Sequence, residues 1–402
     1  MKKEDLGLGT LKVLDGNKAA AVAALLCNPE VVAVYPITPQ TSLVEKLSEY
    51  WANGLLECEL VEVEGENSAM GVCVGASAAG ARTFTATSSM GLNFMYDTYI
   101  MASGMRAPVV MVNVNREQSP PTGPTAGEQD IMSVRDAGWV HIHAETCQDI
   151  LDTIIMAFRL AEDPEILLPV TVCYDGYYLS YQAEGVQIPA QKDVDRFLKP
   201  TEGFSRPCLI SPNYSMNFGI IPMRPESWAE YRYKHQAALD RVKNKMGEIT
   251  GDFEAVFHRN HGGLIEEYRT DDADIVIICL GSHTGTARAS IDVKRGEGIK
   301  VGLIKIRVFR PFPREKLVEA LKGKKVIGVV DRSVVLGGVG GHIYNEIQIV
   351  LNDLRSDIIA LDFICGLGGA DVTRELILRA IDQVVQASKE GIYQKITWLN
   401  LE

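Results

Sequence analysis

Apolar residues fall along this chain in two alternating registers. Short, nearly unbroken apolar runs stand at Val31–Tyr35, Thr83–Thr87, Pro108–Val114, Leu168–Tyr174, Asp274–Gly281, Lys300–Phe309, Lys325–Asp331 and Asp357–Phe363. Between them lie longer stretches with helical spacing: Lys18–Leu26, Ser42–Trp51, Ser68–Ala81, Asp149–Ala161, Arg314–Leu321, His342–Leu354 and Val372–Ala387. Strands apolar on both faces, alternating with helices, are what a parallel sheet covered on both sides requires. The pattern predicts an α/β fold with parallel sheets. It breaks between about Lys192 and Thr270, where Pro, Gly, Asn, aromatic and charged residues dominate. One long charged helix pattern, Glu226–Met246, lies inside that break and reads as a solvated helix. The expectation is two α/β domains, residues 1–195 and 271–402, joined by a connector over 196–270.

Composition narrows the function classes. The chain has 402 residues, 46% apolar and 23% charged, which suits a globular enzyme of two or three domains. No apolar run approaches the roughly 20 residues that cross a bilayer, and the charged start Met1–Asp5 does not lead into a signal-peptide core. A cytoplasmic location is expected. A net charge of −12 without a basic block argues against nucleic acid, whose phosphates need cations to neutralise them. Eight cysteines include no CxxC pair, and most sit in apolar runs, so buried thiols are expected and no metal or cluster site.

Four stretches carry candidate chemistry. In Val34-Tyr-Pro-Ile-Thr-Pro-Gln-Thr-Ser42 a strand ends and Thr38 reads as an N-cap with Pro39 in the first helical position. This is also the carboxyl end of a parallel strand, where open α/β sheets bind ligands and free helix N–H groups suit an anion. In Val61-Glu-Val-Glu-Gly-Glu-Asn-Ser68, Glu62 and Glu64 alternate with Val as on an exposed edge. Glu66 instead opens a helix of very small residues, which makes sense where a cofactor or backbone approaches closely; a carboxyl there would hold its proton. Ala86-Thr-Ser-Ser-Met-Gly-Leu92 sets hydroxyls at another strand end, for a ligand or merely for a cap. Asn113-Val-Asn-Arg116 ends a fourth strand, and an arginine there can hold a carboxylate through two parallel N–H bonds. The loop after it, Ser119–Asp130, has prolines to stiffen it and glycines to hinge it, as a substrate-covering segment would.

Tyr-Pro-Ile-Thr-Pro, Glu-Gly-Glu-Asn-Ser-Ala, Thr-Phe-Thr-Ala-Thr-Ser-Ser and Asn-Val-Asn-Arg follow one another here in the order found in pyruvate:ferredoxin oxidoreductases. The likeness resumes at Leu167–Tyr177, Gly281–Ala287, Phe309–Pro313, Val330–Ser333 and Phe363–Thr373, so the chain resembles the α subunit of the 2-oxoacid:ferredoxin oxidoreductase family over nearly its whole length. The resemblance implies a pyrimidine-binding α/β domain followed by one like the transketolase C-terminal domain. It implies thiamine diphosphate shared between two chains. This one lacks the Gly-Asp-Gly…Asn motif that holds the diphosphate through Mg²⁺, so a β-type partner would carry it. Glu66 takes the position of the family glutamate that faces the aminopyrimidine, with Pro36, Ile37 and Ser89 also expected against the cofactor. Thr38 and Arg116 match positions that hold the substrate carboxylate. Electrons would pass to 4Fe–4S clusters on γ- and δ-type subunits and on to ferredoxin, and the acyl group to coenzyme A.

Two departures keep the substrate open. Pyruvate-type members carry His before the Gln-Asp of the Arg116 loop, where this chain has Glu128. Pro121-Thr-Gly-Pro-Thr125 is closer to 2-oxoglutarate and branched-chain relatives, while Thr38 argues against an oxalate-specialised form. Pyruvate stands first, with phenylglyoxylate, 2-oxoisovalerate or 2-oxoglutarate as alternatives; a non-catalytic coenzyme A or nucleotide module is a separate reading. His141 and His143 read as a packed pair, and the turn Gly337–His342 as architectural, since it lacks the Lys-Ser/Thr of a P-loop.

Overall fold

The computed structural model describes residues 8–198, 224–355 and 357–401. Cys208 and the Pro- and Gly-rich start of the connector lie outside the described residues. The strands are β1 Leu11–Asp15, β2 Val31–Val34, β3 Glu59–Glu62, β4 Thr83–Thr87, β5 Val110–Asn115, β6 Val140–His143, β7 Val170–Asp175, β8 Ala183–Gln187, β9 Ile265–Tyr268, β10 Ile275–Cys279, β11 Val301–Ile306, β12 Val308–Arg310, β13 Val326–Asp331, β14 Ile359–Ile364 and β15 Ile396–Trp398. They form a seven-stranded sheet, β12-β6-β7-β5-β4-β2-β3, a six-stranded sheet, β15-β14-β13-β10-β11-β9, and the small pair β1-β8. Each large sheet is parallel except for one antiparallel edge strand, β12 or β9. The central strands β4, β5, β7, β10, β11 and β13 are buried at every residue, which is why they read as continuous apolar runs.

The apolar run Lys300–Phe309 is not one strand. Arg307 interrupts it: the side chain is fully buried and its guanidinium donates to Thr153 Oγ1 at 2.8 Å. The chain runs along β11 in the second sheet, and Val308 then pairs with Ile142 of β6 in the first. One residue therefore carries the chain from sheet to sheet, which an apolar pattern cannot reveal.

The long helix also differs from its pattern. It spans Pro225–Phe257, 33 residues, and is not simply solvated. Ala238, Val242, Met246, Ile249, Phe253 and Phe257 are buried and join the core that covers one face of the first sheet. The other face shares an apolar cluster with the second sheet, running from Met70 and Tyr99 through Trp139 and Phe309 to Ile278, Ile327 and Ile343.

A buried charge network closes the joint beside that cluster. Lys305 of β11 meets Glu145 at 2.9 Å and Asp149 at 3.5 Å, and Arg307 reaches Asp149 at 3.5 Å. Arg288 bridges Glu145 and Glu266, while Arg259 and His261 converge on Asp152 at 2.7 Å each. Burial alone would raise the Asp149 carboxyl; Lys305, then His261 and Arg307, outweigh it and hold Asp149 well below the usual carboxylate range. Removing Asp149 strands Lys305 and Arg307, both nearly inaccessible to solvent. Asp149→Ala should therefore cost about 3 kcal/mol or more, read as a shift of the urea midpoint, and a variant as stable as wild type would show the network carries little.

Candidate active site

The connections reverse direction at β2. The chain leaves β2 for β3 on one side and returns to β4 on the other. Such a reversal leaves a crevice at the carboxyl ends of the two strands. Here the crevice is widened, because β2 and β4 pair only at Val31–Thr83 and Val32–Phe84. Beyond that, side chains bridge the gap: Thr85 Oγ1 donates to Ala33 O at 2.7 Å, and the buried Gln40 Nε2 donates to Ala86 O at 2.8 Å. The helix after β2 starts at Thr41, with Gln40 in the cap position. Thr38 is thus not the N-cap; it stands exposed in the turn before the helix, beside exposed Pro36 and half-buried Ile37. Gln40 Oε1 accepts from Ile37 N at 3.3 Å, and buried Asn17 donates to Pro39 O at 2.8 Å, so this turn is tied from both ends.

Glu66 is the first residue of the helix Glu66–Ala78 and is buried, whereas Glu62 and Glu64 are exposed. Its carboxyl lies over Gly91, just after the β4 end, where any Cβ would collide with it and with the Thr87 hydroxyl. Burial pushes the Glu66 carboxyl above its ordinary value, opposed by its own backbone amide. The buried Thr87 hydroxyl beside it has no hydrogen-bond partner.

Arg116 and Thr38 are brought together. Arg116 Nη1 donates to Thr38 O at 2.9 Å and Nε to Gly123 O at 2.6 Å. Ser89 joins through a shared carboxylate: Asp130 Oδ2 accepts from Ser89 N at 2.9 Å, Asn113 Nδ2 at 2.9 Å and Arg116 N at 3.1 Å. Ser89 Oγ donates to Glu117 O at 2.5 Å.

The loop from Glu117 to Asp130 is clamped between the two sheets. Thr125 Oγ1 donates to Gly368 O at 2.6 Å, and the Gln129 amide exchanges bonds with Val334 at 3.0 and 3.1 Å. Behind it, buried Arg332 pairs with Asp175 at the end of β7. Burial pushes Glu117 up to about 7, Glu128 to about 8 and Asp130 to about 6; Arg332 opposes the shift at Glu128.

Known proteins resemble this chain over nearly its whole length. Residues 22–250 match the family model "Pyruvate flavodoxin/ferredoxin oxidoreductase, thiamine diP-bdg", and residues 273–377 match "Pyruvate:ferredoxin oxidoreductase core domain II". The chain belongs to the 2-oxoacid:ferredoxin oxidoreductase family, as an α-type subunit. Pyruvate synthase subunit PorA of Methanothermobacter thermautotrophicus is 40% identical over 98% of both chains. The alpha subunit of NADH-dependent phenylglyoxylate dehydrogenase of Aromatoleum evansii is 41% identical over 92% of this chain and 89% of that one. A 2-oxoglutarate:ferredoxin oxidoreductase from Magnetococcus marinus shares the fold with a TM-score of 0.72 at 21% identity, covering 94% of this chain and 65% of that one. The chain is accordingly a subunit of a thiamine diphosphate-dependent oxidoreductase, and the reading as a separate binding module falls.

The crevice fits the group this family binds. A buried carboxyl with a raised pKa on a small-residue helix, beside an unpartnered hydroxyl, can serve a ring nitrogen. The glycine-rich turn, by contrast, leaves no room for a phosphate, because Asp331 already accepts from Ile343 N and Tyr344 N at 3.0 Å each at that helix start. His141 Nε2 contacts Tyr99 OH at 3.0 Å inside the core. Six of the seven described cysteines are buried and all seven are free. Asp130, Gln40 and Asn17 escaped the sequence reading; Asp130 is separated from Arg116 by 14 residues, and no local pattern announces their contact.

Glu128 offers a test. Its raised carboxyl binds a proton more tightly when folded, so its stabilising share is complete at low pH and is lost as pH rises through about 8. Glu128→Gln removes that loss. From about pH 6 to about pH 9, the wild-type melting temperature should fall more steeply than the variant's; parallel curves would contradict the burial of an acid here.

Proposed function

We propose that this chain supplies the pyrimidine-facing acid and the carboxylate grip for oxidative decarboxylation of a 2-oxoacid, with pyruvate the first substrate. The observation that carries the proposal is the placement of Glu66, a buried carboxyl at the start of its helix, packed over Gly91 at the crevice between the β2 and β4 ends, where burial raises its pKa. Thiamine diphosphate, when bound, would supply the nucleophile and the electron sink that decarboxylation of a 2-oxoacid needs. Glu66 holds and returns the proton at the ring-nitrogen side. Gly91 leaves room for that carboxyl, and Pro36, Ile37 and Ser89 line the same strand ends as contacts for the cofactor. Arg116 and the Thr38 turn hold the substrate carboxylate, their backbone anchors fixing the guanidinium before substrate arrives.

The rest of the reaction needs other chains. A β-type subunit would hold the diphosphate through Mg²⁺, and γ- and δ-type subunits would carry 4Fe–4S clusters toward ferredoxin, with coenzyme A taking the acyl group. Relatives named as subunits support such an assembly, and a coenzyme A-bound structural neighbour supports the acceptor. No described helix is long and apolar enough to cross a membrane; the cytoplasm is the proposed place of action.

A second substrate reading is kept by two observations. Glu128 stands where the family resemblance leads one to expect His in pyruvate-type members. Relatives of nearly equal identity are named for phenylglyoxylate and ketoisovalerate, at 41% and 38%. A panel of 2-oxoacids on the assembled complex separates the two, and silence toward pyruvate overturns the first choice. In the same assay, Glu66→Gln should lower turnover by about 100-fold or more without changing the melting temperature; near wild-type turnover would remove Glu66 from the chemistry.

A further inference from the structure

Asp130 is fully buried, yet four N–H groups point at it. One, from Ile131, is local, at 2.8 Å. The other three meet at Oδ2 and come from elsewhere: Ser89 N after β4, Asn113 Nδ2 within β5 and Arg116 N just after β5. An acceptor that merely capped the short helix Gln129–Ser133 would need only the first. An ionised carboxylate accepts and never donates, so it suits a pocket of converging N–H groups; a neutral side chain of the same shape does not.

Two further features tie those donors to the site. Ser89 has φ +49°, in the left-handed region that non-glycine residues avoid, and its N–H is turned onto Asp130. Arg116 is held at three points, its N–H on Asp130 and its guanidinium on Gly123 O and Thr38 O, so moving the first anchor swings the other two. Asp130 also has the lowest pKa of the three raised carboxyls of its loop, about 6 against about 7 for Glu117 and about 8 for Glu128, and is the first of them to carry charge.

We infer that Asp130 is the positioning residue of this site: its carboxylate sets the Arg116 side chain and the Ser89 turn against each other, and thereby the grip on the substrate carboxylate. The inference rests on the proposed role of Arg116 and adds what holds Arg116 in place. Asp130 does not touch substrate.

The test compares Asp130→Asn, Asn113→Ala and Arg116→Gln in the full chain, assembled with its partner subunits. Asp130→Asn keeps the shape but loses the charge and puts an NH₂ among donors. Its KM for the 2-oxoacid should rise by roughly 10- to 100-fold, the cost of an ångström-scale misplacement, while kcat stays within about threefold, as expected when ground-state and transition-state binding are lost together. Hydrogen exchange should quicken at the Ser89 and Arg116 amides, which a general loss of stability would not single out. Asn113→Ala, which deletes one donor and leaves the acceptor, should move KM in the same direction by less. It decides the matter if Asp130→Asn fails to fold: an unchanged KM overturns the inference. So does an Asp130→Asn variant with wild-type KM and protected amides, or one that loses kcat alone. If Arg116→Gln raises KM and Asp130→Asn does not, the positioning role falls and the function stands. If Arg116→Gln also leaves KM unchanged, the carboxylate grip itself is wrong and the inference goes with it.

Discussion

One buried carboxylate draws the ends of two parallel strands and the loop that follows them onto a single point. Parallel strands leave their last N–H and C=O groups pointing into the crevice, and such groups must be satisfied or remain open to solvent and ligand. Asp130 takes the N–H groups that follow β4 and β5, and Gln40 takes the carbonyls at the β2 and β4 ends. What the site offers is the Glu66 carboxyl, bonded only to its own backbone amide, the unpartnered Thr87 hydroxyl and the outer face of the Arg116 fork. The crevice is therefore organised before any ligand enters it.

Organisation of this kind depends on the second sheet. The Arg116 loop is pinned by Thr125 and Gln129 to the turns after β13 and β14, and Arg332 holds the end of β7 from across the joint. The buried network around Asp149 and Lys305, with β12 crossing into the first sheet, makes the two sheets hard to part. A loop held this way keeps Arg116 aimed at the crevice, and burial pushes the Glu128 carboxyl within it up to about 8.

Much of the fold was legible in the order of residues. The α/β architecture followed from strands apolar on both faces, and the strand ends proposed to carry chemistry were marked by Thr38, Ser89 and Arg116 breaking those runs. Glu66 stood out from Glu62 and Glu64 because only it opened a helix of small residues. What stayed hidden depends on contacts distant in sequence. Arg307 inside an apolar run gave no sign that β11 and β12 belong to different sheets. The helix Pro225–Phe257 looked solvated because its buried stripe is diluted by charge along 33 residues. Thr38 resembled a cap, but the adjacent Gln40 is drawn inward by Ala86, 46 positions away, and the helix starts later.

On the proposed function, this chain brings one half of a shared site and lacks the half that holds the diphosphate. Calorimetric titration of thiamine diphosphate with Mg²⁺ separates the halves, first on the isolated chain and then on the chain assembled with its partner subunits. No measurable binding to the isolated chain and one site per chain in the assembly are expected. Stoichiometric, tight binding by the isolated chain would contradict the proposal.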